Sequence, residues 1–173
     1  MSMTNQALED SYMEDYSNPL DGVEDILIRQ NWSYSRLNRE ELFLELKGKH
    51  GIYRMMFLWN DAQEVIQFCS EYDVRLADFN YEKASKTINE INTQLWLGHF
   101  HLPVETMIPC FRYTQMLRGL TVGPEIIDQL ADLIQITMEE CDMHYPAFMM
   151  LASEKTHDED QLALALMPAA GLS

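Results

Sequence analysis

The sequence has no unbroken apolar run of the roughly 18 residues that a membrane-spanning helix needs. Basic residues are scarce: 12 Lys and Arg stand against 28 Asp and Glu, a formal net charge of −16. That deficit disfavours nucleic acid, whose phosphates require clustered cations, and equally an anionic membrane surface. Cysteine is rare as well. Cys69, Cys110 and Cys141 lie far apart along the chain, and an odd count with no close pair argues against a disulfide framework. It fits a reducing compartment. Glycine forms no phosphate-cradling loop, since Gly48, Gly51, Gly98 and Gly119 are isolated turn positions. There is no Gly-x-Ser-x-Gly elbow and no His-Glu-x-x-His pair. The opening residues, MSMTNQALEDSYMEDYSN, have neither the basic start nor the apolar centre of a secretory signal. A cytoplasmic protein is therefore expected.

What is present suits one domain. The chain has 173 residues, 47% of them hydrophobic, enough to build a core. Residues 1–17 are acidic and without period, and they are read as a mobile, disordered tail. Residues 18–153 carry the domain, and residues 154–173 a second tail with a short apolar run, Gln161 to Met167, that suits a short helix.

The element pattern within the domain is α-β-β-β-β-α-β-β-α. Asn18-Pro19 opens a helix running to about Gln30, with Leu20, Val23 and Leu27 on one face. Strands are predicted over Trp32–Arg36, Glu41–Lys47, Ile52–Trp59 and Val65–Tyr72. A helix from about Asn80 to Leu95 follows, apolar at Ala84, Ile88, Ile91 and Leu95, with Asp78 or Asn80 as its cap. Strands over Leu97–Leu102 and Met107–Leu117 come next. A long helix then opens at Pro124, its stripe drawn by Ile127, Leu130, Ile134, Cys141, Phe148 and Leu151. Pro146 lacks the backbone donor that a helix interior uses, so a kink or an interruption is predicted there. Strands and helices in this order make an α+β fold with an antiparallel sheet packed by helices.

Alternation assigns the two faces of the sheet. Leu42, Leu44 and Leu46, Tyr53, Met55, Phe57 and Trp59, and Ile66, Phe68 and Tyr72 form wholly apolar rows and belong under the helices. The opposite face carries Phe43, Ile52, Arg54, Met56, Leu58, Val65, Gln67 and Cys69. It is greasier than a merely solvated face needs to be. Charge is uneven too. Arg29, Arg36, Arg39, Lys47, Lys49 and Arg54 concentrate in the early strands, whereas the stretch from Thr121 to Gln161 is acidic apart from Lys155. The methionine count of 12 is high, and methionine repacks readily against varied partners.

Candidate chemistry is thin. His99 and His101 would point to the same side of a strand, but a metal needs further ligands beside them. Cys141 and His144 are three apart on the last helix, yet Cys141 sits on the apolar stripe, where an inert thiol is the usual occupant. Glu40-Glu41 and Glu139-Glu140 point to different sides of their elements, which leaves paired-carboxylate catalysis without support.

Three stretches carry a family resemblance: Asn18-Pro19-Leu20-Asp21-Gly22-Val23, Leu95-Trp96-Leu97-Gly98-His99-Phe100, and Tyr145-Pro146-Ala147-Phe148. Together they resemble the YbjN-domain proteins of bacteria, over roughly Asn18 to Ser153. The resemblance implies a sensory-transduction regulator with a fold similar to that of the type III secretion chaperones, often dimeric. It implies structural roles for Trp96, Gly98, His99, Phe100 and Pro146, with Trp96 and Phe100 packed and the Tyr-Pro pair interrupting the last helix. No catalytic residue carries over from it.

The expected function is that of a non-enzymatic, protein-binding or chaperone-like regulator without cofactor or metal. Phe43, Ile52, Met56, Leu58 and Val65 form its candidate partner face, and a homodimer is the expected assembly. A small-ligand or metal sensor is the alternative.

Overall fold

The structure, a computed structural model, describes residues 15–153 and 159–167. Most of the predicted N-terminal tail lies outside that range. Its last residues do not behave as a tail, however. Tyr16 donates its amide to the Val122 carbonyl at 2.8 Å and its hydroxyl to Asp25 at 2.6 Å. The chain is therefore pinned before the first helix begins.

Helix α1 spans Pro19–Arg29. Asn18 caps it by accepting the Leu20 amide at 2.9 Å, and Pro19 occupies the first turn, where no donor is missed. Its end explains a misplaced strand. Asn31 adopts a left-handed conformation, φ 56°, and the Trp32 amide turns back to the Leu27 carbonyl at 2.9 Å. This consumes Trp32 in the helix terminus. Strand β1 accordingly covers only Tyr34–Arg36, not the predicted Trp32–Arg36.

Strands β2 (Glu41–Lys47), β3 (Ile52–Asn60) and β4 (Val65–Glu71) fall close to where alternation placed them. Helix α2 covers Tyr81–Asn92, after a 3-10 turn at Asp78–Asn80. It lacks the expected side-chain cap. Asn80 stands at the cap position, but its amide donates instead to the Leu151 carbonyl at 2.8 Å, tying the start of α2 to the end of the last long helix. Strands β5 (His99–His101) and β6 (Cys110–Met116) are shorter than predicted. Met107, at φ 54°, bends the chain ahead of β6 and gives its carbonyl to the Leu76 amide.

Helix α3 runs from Pro124 to Ala152 without a break. The expected interruption at Pro146 does not occur. Proline removes one backbone donor, but the turn beyond it is anchored in the core. Ala147 and Phe148 are fully buried, and the Phe148 ring lies edge-on to Tyr72 at 4.9 Å and to Phe100 at 5.7 Å. Burying a side chain the size of Phe148 or Leu151 contributes about 1.5–3 kcal/mol, and these two anchors beyond Pro146 together rival the roughly 3 kcal/mol that an interior proline costs. Helix α4, Glu159–Leu166, folds back on α3 and buries Leu162.

All strand pairs are antiparallel, and the order across the sheet is β1-β2-β3-β4-β6-β5. The helices cover one face. Every residue assigned beneath them, from Leu42 through Tyr53 to Tyr72, is buried. The fold is thus α+β, an antiparallel sheet packed by helices. Among the described residues no helix is long and apolar enough to cross a membrane.

Candidate functional site

The face of the sheet turned away from the helices is where the register gathers exposed apolar groups. Pairing sets its side chains in rows across the strands. One row reads Ser35, Phe43, Met56, Cys69, Arg112 and His99. The next reads Glu41, Leu58, Gln67 and Thr114, and the next Asn60, Val65 and Met116. On the other side of the first lies Glu45, Arg54, Glu71, Cys110 and His101, and beyond it Lys47 and Ile52.

Phe43, Met56, Cys69, Leu58 and Val65 are therefore neighbours, and all five are half-buried with no helix above them among the described residues. Met116, 65% exposed, extends this patch beside Val65 and was not singled out from sequence. Its strand periodicity gave the signal, because it alternates with Tyr113 and Gln115 on the covered side. Ile52 does not join them. It is 40% exposed, and the Glu45–Arg54 ion pair, 3.5 Å, stands between it and the patch. The face is thus an apolar patch bordered by a charged row.

Both edges are short. Strands β1 and β5 have three residues each. Short edge strands offer few unpaired backbone groups, which disfavours binding by strand addition and leaves the face as the available surface.

Two cysteines meet on this face, although the sequence keeps them far apart. They lie on neighbouring strands, Cys69 opposite Arg112 and Cys110 opposite Glu71, and Cys110 donates its thiol to the Phe111 carbonyl at 3.4 Å. The neighbouring Cys110 thiol lowers the Cys69 pKa, while the proximity of Cys69, together with burial, raises that of Cys110. His99 and His101 lie on the same side, both exposed, with buried Phe100 between them. Partial desolvation, followed by the nearby Arg112 guanidinium, lowers the His99 pKa below its ordinary value. Among the described residues no group of three His, Cys, Asp or Glu side chains is placed to hold a metal ion.

Cys141 is unlike a nucleophile. It is fully buried, its sulfur lies 4.0 Å from the Ser70 hydroxyl, and burial pushes its pKa up to about 12. A nucleophilic thiol requires the opposite shift. His144 is buried as well. Its Nε2 sits 3.4 Å from Glu140, and its ring lies edge-on to Phe100.

The family-motif residues divide. Phe100 is buried as expected. Gly98 has φ +66°, and a Cβ there would strike the Phe111 ring and come within 2.9 Å of the Arg112 carbonyl, so only glycine fits without strain. Trp96 is the exception. It does not pack; it is 76% exposed. Tyr145, beside Pro146, stacks on His50 at 5.9 Å and donates its hydroxyl to Asp73, which clasps the β2–β3 hairpin.

Asp142 is a junction that sequence reading missed. Its carboxylate accepts the Lys49 amide at 2.9 Å, the His50 amide at 3.3 Å and the Tyr53 hydroxyl at 2.6 Å. The basic hairpin and the acidic helix thus meet through backbone amides and the Tyr53 hydroxyl, and no ion pair among the described residues joins them.

Comparison with known proteins agrees with this architecture. A model of the YbjN family, described as "Putative bacterial sensory transduction regulator", matches residues 19–150. The fold is similar to the crystal structure of YbjN, "a putative transcription regulator from E. coli", with 12% identity and a TM-score of 0.53, over 75% of this chain and 90% of that one. At that identity the likeness speaks for the fold alone. No curated protein matches the chain.

Proposed function

The chain belongs to the YbjN family, and on that premise we propose that it is a non-enzymatic regulator of bacterial signalling that binds protein through the open face of its sheet. One observation carries the reading. Phe43, Met56, Leu58, Val65 and Met116 form a contiguous apolar patch with nothing over it among the described residues, and patches of that kind on a soluble domain mark interaction surfaces. Chaperone-like holding of an apolar partner segment is compatible with this surface.

The first partner to consider is a second copy. A two-fold axis through the patch would lay it on itself. The bordering row carries both signs, Glu45 and Glu71 with Arg54, and Arg112 stands beside it in the Phe43 row, so the border can complement itself across such an axis. The net charge of −16 argues against nucleic acid as the partner. A cytoplasmic site of action follows from the same reading.

The test is Met56→Asp combined with Leu58→Asp. Both side chains are half-buried on the open face and outside the core, so the variant should lose some stability but keep the native circular dichroism spectrum. Oligomeric state in sedimentation, and partners retained on an affinity column, should change. An unchanged assembly and an unchanged set of partners would overturn the placement.

A further inference from the structure

We propose that the groove beside Trp96 is a second docking site, one that takes a cationic segment of a partner protein: an arginine or lysine next to an apolar side chain. The groove lies on the helix-covered side of the sheet, away from the patch described above, and does not depend on it.

Trp96 stands 76% exposed at the rim of a groove of about 230 Å³ between β6 and α3. Leu97, Tyr113, Leu133 and Ile136 supply apolar walls. The exposure of the indole does not reflect a loose loop. Before it, the Asn92 side chain accepts the Phe100 amide at 2.7 Å and donates to the Phe100 carbonyl at 3.0 Å. After it, Gly98 is wedged over the Phe111 ring. The segment is stapled at both ends and presents its tryptophan to water. Tryptophan carries more apolar area than any other side chain, and at protein interfaces it is among the commonest anchors.

Charge selects the occupant. Asp132 lies on the rim, exposed, and no ion pair among the described residues engages it. Asp128, one turn earlier on α3, is likewise exposed and outside those pairs. The remaining rim residues, Gln115 and Gln129, are neutral. An aromatic face beside a free carboxylate is the arrangement that attracts a guanidinium or ammonium, by cation–π and Coulomb attraction together. The apolar walls then suit the aliphatic neighbour of that cation. Size argues for a side chain and not a metabolite. The groove is smaller than the roughly 300–1,000 Å³ usual for small-molecule sites.

The test uses the full chain in NMR titration, with the Trp96 indole N–H assigned by Trp96→Phe. The probes are a blocked nine-residue peptide of Leu and Arg, its Leu and Glu counterpart, and free arginine amide. The Arg peptide should shift the Trp96 indole signal with a Kd below about 1 mM. Asp132→Asn, an exposed change that should leave the melting temperature intact, should weaken binding about fivefold, as should moderate salt. The Glu peptide should leave the signal in place. The proposal is overturned if the Arg peptide does not move the Trp96 signal, if the Glu peptide moves it equally, or if Asp132→Asn leaves affinity unchanged. Binding of arginine amide as tight as that of the peptide would make this a small-cation site and would also overturn it. So would a Trp96 shift that follows protein concentration alone, which would make the occupant a second copy.

Discussion

Replacing Asp142 by alanine should destabilise the domain by about 1–4 kcal/mol, although the residue is only half-buried and distant from the proposed binding face. The figure comes from what the carboxylate holds. Tyr53 is fully buried, and Asp142 accepts its hydroxyl at 2.6 Å. Without that acceptor the hydroxyl is left unsatisfied in the core, at a cost of about 1–3 kcal/mol. The Lys49 and His50 amides lose the same acceptor, but the hairpin is exposed and water replaces it, so their contribution is about 1 kcal/mol or less. Tyr53→Phe alone removes the donor and leaves Asp142 its two amides, which should cost about 1 kcal/mol. The double variant should then be less harmful than the sum of the singles, with a coupling of about 1–2 kcal/mol. Urea unfolding followed by circular dichroism measures all four corners, with an unchanged m-value as the check that the transition stays two-state. Hydrogen exchange at Lys49 and His50 should accelerate in Asp142→Ala. A loss below about 0.5 kcal/mol, or additivity of the two changes, would refute the claim that this carboxylate joins the hairpin to the helix.

Three further expectations follow from the same geometry. Gly98→Ala should cost about 2–4 kcal/mol, from a left-handed backbone and an overlap with Phe111, whereas Gly119→Ala, at φ +74° with nothing within 4 Å, should cost only about 1 kcal/mol; equal melting temperatures for the two would contradict the steric share. Burial raises the pKa of Tyr53, of Tyr72, and of Cys141 to about 12, so on raising the pH the unfolded chain loses these protons first. Their stabilisation is complete below about pH 8.5 and is lost above it, by about 1.4 kcal/mol per pH unit for each group once its unfolded pKa is passed. A urea midpoint that stays flat up to about pH 10.5 would refute this. Iodoacetamide should label half-exposed Cys69 first and Cys141 only upon unfolding, as read by mass spectrometry of digests; labelling of Cys141 in the native protein at a comparable rate would show that the core opens there.

How much of this was legible depends on how far apart in sequence the contacts lie. Strands β2, β3 and β4 carry apolar residues at every second position, and their bounds and buried faces could be read directly. Even the separation of Ile52 was within reach. With Gly48 to Gly51 taken as the turn, Lys47 must face Ile52, Glu45 must face Arg54, and Phe43 must face Met56. The charged pair then falls between Ile52 and the rest of the patch. No such arithmetic crosses from β4 to β6, because helix α2 and strand β5 intervene and no turn fixes the register. The meeting of Cys69 with Cys110, and the placing of Met116 beside Val65, depend on that distant pairing. The junction at Asp142 and the continuity of α3 through Pro146 are of the same kind, since both depend on contacts with elements remote in sequence. Trp96 misled for a different reason. Hydrophobic pattern assigns an aromatic residue to the core only where a period shows which side it faces, and the stretch between α2 and the three-residue strand β5 has none. Its exposure is therefore information that the structure adds, and with the free carboxylate of Asp132 beside it, that exposure separates a packing residue from a binding one.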